Sequence, residues 1–167
     1  MDLRKGVPEG SSPVIPRLIC RDPDAAADFY VAALGAEDLG RRPGPDGRTV
    51  HALLTLSGGM IMIDAEWPAV RTRAPDRDES APVAIFAYVE DVDTTVARAA
   101  SYGARVLIEA ANQFWGDRTA WIVDPAGHVW TLASRTEDTT ENQRQERWSR
   151  IVKEKTRSSN DQPQEEP

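Results

Sequence analysis

Thiols and imidazoles are scarce in this chain. Cys20 is the only cysteine, and His51 and His128 are the only histidines. A lone cysteine excludes an internal disulfide and fits a reducing cytoplasm, where the protein is expected to work. Cys20 as a nucleophile is disfavoured, because the sequence sets no histidine or other base beside it. So few soft or imidazole donors also leave little from which to build a zinc or iron centre. No apolar run approaches the about 20 residues that span a bilayer, and the N-terminus lacks the apolar core of a secretory signal. Positive charge is short too. The 20 Lys and Arg against 27 Asp and Glu give a net charge of −7. That balance argues against nucleic acid, which requires a basic stripe, and suits solubility with a mild attraction for cationic ligands.

What the chain does have is an internal repeat. Ile15-Pro-Arg-Leu-Ile-Cys-Arg-Asp22 leads into an Ala-rich stretch ending at Gly35-Ala36. Ala84-Ile-Phe-Ala-Tyr-Val-Glu-Asp91 leads into a second stretch ending at Gly103-Ala104. In each copy a strand enters a helix whose N-cap carboxylate, Asp22 or Asp91, accepts free backbone N–H groups. Ala25, Ala26, Phe29, Tyr30 and Ala33 recur at helical spacing, and Gly35 suits a left-handed exit. Strand-like runs follow each helix: 37–42, 49–56 and 60–65 in the first half, then 105–110, 118–123 and 128–133 in the second. Turn-forming Pro, Gly, Asp and Ser separate them. Each half therefore reads βαβββ, and a duplicated half-domain can enclose a pocket between its copies.

This order resembles the vicinal oxygen chelate superfamily of glyoxalase I, bleomycin-resistance proteins and extradiol dioxygenases. The residues that carry the likeness are Arg21-Asp22 through Phe29-Tyr30 to Leu34-Gly35-Ala36, and Asp124-Pro-Ala-Gly-His-Val-Trp130. Phe114-Trp-Gly-Asp-Arg118 adds a likeness to a bleomycin-resistance-like subgroup. The resemblance implies an α+β fold: two tandem βαβββ modules forming a cup-shaped mixed sheet, usually completed as a homodimer. It also implies four metal-ligand positions, at Ile15, Met62, Ala84 and Thr131 here. None of these is a competent ligand, so metal-dependent isomerisation or dioxygenation is disfavoured and neither metal nor other cofactor is expected.

Strand parity indicates what the cup presents instead. Val50, Ala52, Leu54 and Leu56 form an apolar face, so Thr49, His51, Leu53 and Thr55 are expected to face the cup. Met60, Met62 and Asp64 share one side of the next strand. The expected ligand-binding set is Arg17, His51, Met60, Met62, Asp64, Trp67, Phe86, Tyr88, Trp115 and Arg118. Apolar walls with a few polar groups describe a small-molecule pocket, and Trp67 and Trp115 would stack on an aromatic ligand. Arg118 could hold a ligand carboxylate, although a structural pairing with Asp117 or Asp124 is the preferred reading. His128, on the parity of Trp130, belongs near the core.

Around the cup, residues 1–12 read as a flexible lead and 13–135 as the domain: module one 13–66, crossover 67–82, module two 83–135. The crossover is a surface connection and candidate lid. Residues 136–155 are expected to hold a C-terminal helix with a narrow stripe of Trp148, Ile151 and Val152, and 156–167 a disordered tail. The leading functional expectation is a metal-independent protein binding a small aromatic or amphipathic molecule, with antibiotic sequestration as its role. The alternative is a metal-free isomerase, cyclase or lyase acting on a carbonyl compound, with His51, Asp64 and Tyr88 as acid–base groups. A third possibility is partner binding through the Trp148 helix.

Overall fold

The computed structural model describes residues 6–79 and 81–160. Residues 1–5 of the expected lead and 161–167 of the expected tail lie outside it. Module one runs β1 (Arg17–Cys20), α1 (Pro23–Phe29), β2 (Glu37–Pro43), β3 (Thr49–Leu56) and β4 (Gly59–Ala65). Module two repeats the order as β5 (Ala84–Tyr88), α2 (Val92–Ser101), β6 (Arg105–Asn112), β7 (Asp117–Val123) and β8 (Val129–Arg135). The sheets have the orders β1-β4-β3-β2 and β5-β8-β7-β6. In each, the first strand pairs parallel with the last and the others pair antiparallel. The α+β fold of two βαβββ modules is thus present.

The helix signals act as the sequence indicates. Asp22 accepts from Ala25 N at 3.1 Å, and Asp91 from Thr94 N at 2.7 Å. Pro23 occupies the first turn of α1, where its missing N–H costs nothing. The helix widens into a π turn over Tyr30–Leu34 and exits through Gly35 at φ 76°, a left-handed conformation that glycine adopts without strain.

Both helices cover one side of their sheets, and a continuous core lies between them. Leu54 and Ile63 from module one, and Ile122, Trp130 and Leu132 from module two, are fully buried in it. The modules are joined there by a polar knot. Asp124, in the turn between β7 and β8, is buried. Its Oδ2 accepts Tyr30 Oη at 2.6 Å and Trp130 Nε1 at 2.8 Å, while Oδ1 accepts His128 N at 2.9 Å. Burial pushes the Tyr30 hydroxyl well above its ordinary pKa, so it remains a donor. Arg98 of α2 donates to Ala33 O at 2.7 Å and ties the helices together.

Three expectations are corrected. Pairing between β2 and β3 steps from Arg42 opposite His51 to Pro43 opposite Thr49, leaving Val50 as the extra residue of a bulge. Parity reverses there, so Thr49 turns to the helix side and donates to Asp24 at 2.8 Å instead of facing the cup. Strands β6 and β8 extend to Asn112 and Arg135. These polar ends lack alternation, yet Arg135 pairs opposite Asp117 and Ser134 opposite Arg118. The C-terminal helix, α3, spans Glu141–Asn160, past the expected limit at 155. It starts at a capping box, with Thr140 N donating to Gln143 Oε1 at 2.7 Å and Gln143 N to Thr140 Oγ1 at 3.3 Å. Neither Pro nor Gly interrupts it through Asn160. Among the described residues no helix is long and apolar enough to cross a membrane.

The inter-module knot yields a direct stability prediction. Tyr30→Phe removes one donor from a buried carboxylate and is expected to cost about 1.5–3 kcal/mol. Urea unfolding followed by circular dichroism should show a lower midpoint at unchanged slope; an unaltered midpoint would refute the role assigned to this bond.

Candidate functional site

The sheet faces opposite the helices are open, and strand register arranges their side chains in rows. On module one the first row is Arg42, His51, Asp64 and Ile19. The next is Gly40, Leu53, Met62 and Arg17. Met60 stands opposite Thr55 in the row beyond. Directly opposed residues of an antiparallel pair share a face at close range, and this brings His51 onto Asp64. His51 Nδ1 lies 3.0 Å from Asp64 Oδ1. Arg17 approaches Asp64 diagonally, with Nε 2.6 Å from Oδ2 and Nη2 3.2 Å from Oδ1.

Burial alone would raise the Asp64 carboxyl pKa. Hydrogen bonds from Arg17 and His51, with the Arg17 charge, outweigh it and hold the carboxyl below its ordinary value. Asp64 is therefore an anion, and an anion can only accept, so His51 Nδ1 carries the donated proton. Side-chain exposure is 10% for Asp64, 31% for His51 and 59% for Arg17. The carboxylate forms the floor, and the imidazole and guanidinium form the surface. Arg42, next to His51, donates only to Arg41 O at 3.1 Å and has no carboxylate partner among the described residues. Sequence reasoning missed it. The Arg41-Arg42 doublet was the available signal, since alternation turns Arg41 to Asp24, Asp28 and Asp38 and leaves Arg42 on the open side.

Module two presents an aromatic face. Ile108, Trp121, Thr131 and Phe86 form a row across β6, β7, β8 and β5. Ile108 is 55% exposed, Phe86 50%, Tyr88 46% and Trp121 37%. Phe86 and Tyr88 meet edge-on at 5.3 Å. Tyr88 Oη donates to Asp117 Oδ2 at 2.9 Å, where Trp115 Nε1 also donates at 2.8 Å. Arg135 Nε stands 3.0 Å from Asp117 Oδ1 as an ion pair, without hydrogen-bond alignment. Asp117 is the buried acid of this face, as Asp64 is of the other. A cavity of about 300 Å³ lies where the modules meet, lined by Pro16, Met60, Ile61, Phe86 and Tyr88 among others.

The expected site residues thus separate into groups. Arg17, His51, Asp64 and Met62 share module one's open face, and Met60 joins Phe86 and Tyr88 at the seam cavity. Tyr88 does not join His51 and Asp64 as one acid–base trio: it stands on the other sheet and bonds Asp117. Trp67 is 62% exposed, at the crossover turn, where its backbone N–H donates to Thr72 Oγ1 at 3.0 Å. Trp115 packs edge-on against Phe114 at 4.9 Å, and Phe114 reaches Trp148 of α3 at 5.2 Å; its ring therefore belongs to the helix dock. The following Gly116, at φ 96°, leaves no room for a Cβ beside the Glu137 carbonyl. Arg118 pairs with Asp93 at 2.7 and 2.8 Å, not with Asp117 or Asp124, because strand parity turns it to the α2 side. Cys20 does have a neighbouring base, with His128 Nε2 3.7 Å from its sulfur. Burial nevertheless pushes the thiol pKa up to about 12, so it stays protonated and inert. His128 Nε2 lies 3.1 Å from Ile19 O, across the module seam.

A family profile described as the glyoxalase/bleomycin resistance protein/dioxygenase superfamily matches residues 14–132. The chain belongs to that superfamily. Among its relatives is the uncharacterized protein Mb0911c of Mycobacterium bovis, 40% identical over 120 residues, which cover 70% of this chain and 79% of that one. The uncharacterized protein Rv0887c of Mycobacterium tuberculosis is likewise 40% identical over 120 residues, covering 70% and 71%. The crystal structure of TioX from Micromonospora sp. ML1 is similar with a TM-score of 0.58 at 26% identity, covering 73% of this chain and 97% of that one. The fosfomycin resistance protein FosX from Listeria monocytogenes, complexed with Mn(II) and sulfate, shares the fold, with a TM-score of 0.57 at 17% identity over 81% and 95%.

A superfamily metal does not fit this chain. The four positions that the superfamily resemblance implies hold Ile15, Met62, Ala84 and Thr131, which offer no anionic oxygen and no imidazole nitrogen. On the open face Asp64 is already engaged, accepting from both His51 and Arg17. Among the described residues no three His, Cys, Asp or Glu side chains gather as a cation site.

The depressed Asp64 pKa fixes the sign of a pH dependence. A carboxyl whose folded pKa is lowered adds stability above its unfolded value, and that contribution is lost as pH falls through the folded value. Asp64→Asn should therefore be less stable than wild type near neutrality, and the gap should close at pH values below the ordinary carboxylate range. Urea unfolding across an acid series measures this, and a gap independent of pH would contradict it.

Proposed function

We propose that this protein binds a small aromatic or amphipathic molecule without a metal cofactor, as a homodimer in the cytoplasm. The observation that carries this reading is the uncovered aromatic face of module two, with Ile108, Phe86, Tyr88 and Trp121 all in contact with solvent. Contiguous exposed apolar surface marks a site of interaction. The module one face supplies the complementary features, methionines with a few fixed polar groups, which together suit a small ligand. Facing a second copy across these surfaces would exclude water from a molecule held between them. Membership of a superfamily that includes bleomycin resistance proteins, and a shared fold with a fosfomycin resistance protein, favour antibiotic sequestration as the role. Fold alone does not name a ligand; the aromatic lining supports a planar one.

Native mass spectrometry of protein purified gently from its own host tests this reading. The expected result is a dimer carrying an organic mass that is released chemically unchanged. Phe86→Ala should weaken retention of that molecule about tenfold, the equivalent of about 1.4 kcal/mol. A bare monomer would sink the proposal.

A further inference from the structure

Resting on that ligand-binding reading, we propose that module one's open face is a metal-free proton-transfer site for short 2-oxo carboxylates, with His51 as its base. Three observations carry it. His51 Nδ1 donates to Asp64 Oδ1 at 3.0 Å, which leaves Nε2 as the ring nitrogen with no protein partner among the described residues. Arg17 locks Asp64 from the other side at 2.6 and 3.2 Å, fixing the ring's orientation as a base requires. Arg17 shares the Asp64 carboxylate with the imidazole, and Arg42 stands opposite His51 in the strand register.

The local charge selects the substrate. In a chain of net charge −7, this face sets two guanidinium groups against a single carboxylate. Asp64 occupies only part of Arg17, which retains N–H groups, and Arg42 is free of any carboxylate among the described residues. A small anion fits, and a carboxylate matches guanidinium geometry. A C–H beside a carbonyl is acidic enough for imidazole once the resulting oxyanion lies near a fixed cation. In the step, the carbon-bound proton moves to Nε2. The C–H electron pair becomes the enolate double bond as the carbonyl π pair moves onto oxygen beside a guanidinium. The imidazolium, balanced by Asp64, returns the proton to carbon. Nothing is oxidised or reduced, and no co-reactant is consumed. His51 touches the reacting proton, Arg17 and Arg42 hold the anion, and Asp64 is a positioning residue.

The test follows deuterium entry at C3 of pyruvate and of 2-oxobutyrate by proton NMR, using the full chain in D2O. Wild type is expected to exchange both probes above the buffer rate, and His51→Gln to lose that enhancement by about 100-fold. Arg42→Met should lower kcat/KM about tenfold, as loss of a cation that holds the bound anion requires. Asp64→Asn should lower kcat, and nitrogen-15 NMR should show His51 changing from the single Nδ1–H tautomer to a mixture, which a merely structural carboxylate would not produce. Exchange at the buffer rate in wild type, or unchanged exchange in His51→Gln, overturns the proposal. Saturation-transfer NMR separates this failure from that of the underlying reading. Probe binding without exchange removes the base and leaves ligand binding intact, whereas the bare monomer described above removes both.

Discussion

The fold turns on one buried carboxylate. Asp124 gathers the Tyr30 hydroxyl from module one and the Trp130 indole and His128 amide from module two. A buried charge is tolerated only when donors replace the water it has lost, and here the donors come from both halves. Satisfying Asp124 therefore orients the halves, and the Tyr30 and Trp130 rings that pack at 5.4 Å fill the space beside it. The helices then lie on one side of the sheets and leave the other side open.

That sidedness gives each sheet two chemistries. The helix faces bury Leu54, Ile63, Ile122 and Leu132, which stabilise by leaving water. The open faces each carry one nearly buried acid, Asp64 or Asp117, fixed by neighbours that remain partly exposed. In both cases the acid orients a side chain able to transfer a proton: the His51 ring on module one, the Tyr88 hydroxyl on module two. The halves have diverged around the common plan, because module one adds cations and methionines while module two adds aromatic rings.

Much of this plan was legible in the chain. Period-two alternation in Ile61 and Ile63 against Met60, Met62 and Asp64 separates the two faces of a strand, and Asp22 and Asp91 mark helix starts through a local hydrogen bond. Such signals involve residues close in sequence and survive without tertiary context. Alternation failed at Thr49, where a bulge at Val50 reverses the faces, because a bulge depends on the partner strand. It gave no hint of the ends of β6 and β8, whose polar residues are held by partners outside their own strands.

The sequence by itself determined the duplicated βαβββ order, the helix caps and, away from the bulge at Val50, the membership of residues in strand faces. These follow from periodicity, local hydrogen bonding and residue chemistry. Only the tertiary structure decided which charges meet. Arg118 takes Asp93 rather than Asp117 or Asp124, Cys20 gains His128 as a neighbour, and Tyr88 joins Asp117 while His51 joins Asp64. Ion pairs and hydrogen bonds act over a few ångströms, and residues distant in the chain come within that range only through strand register and module packing.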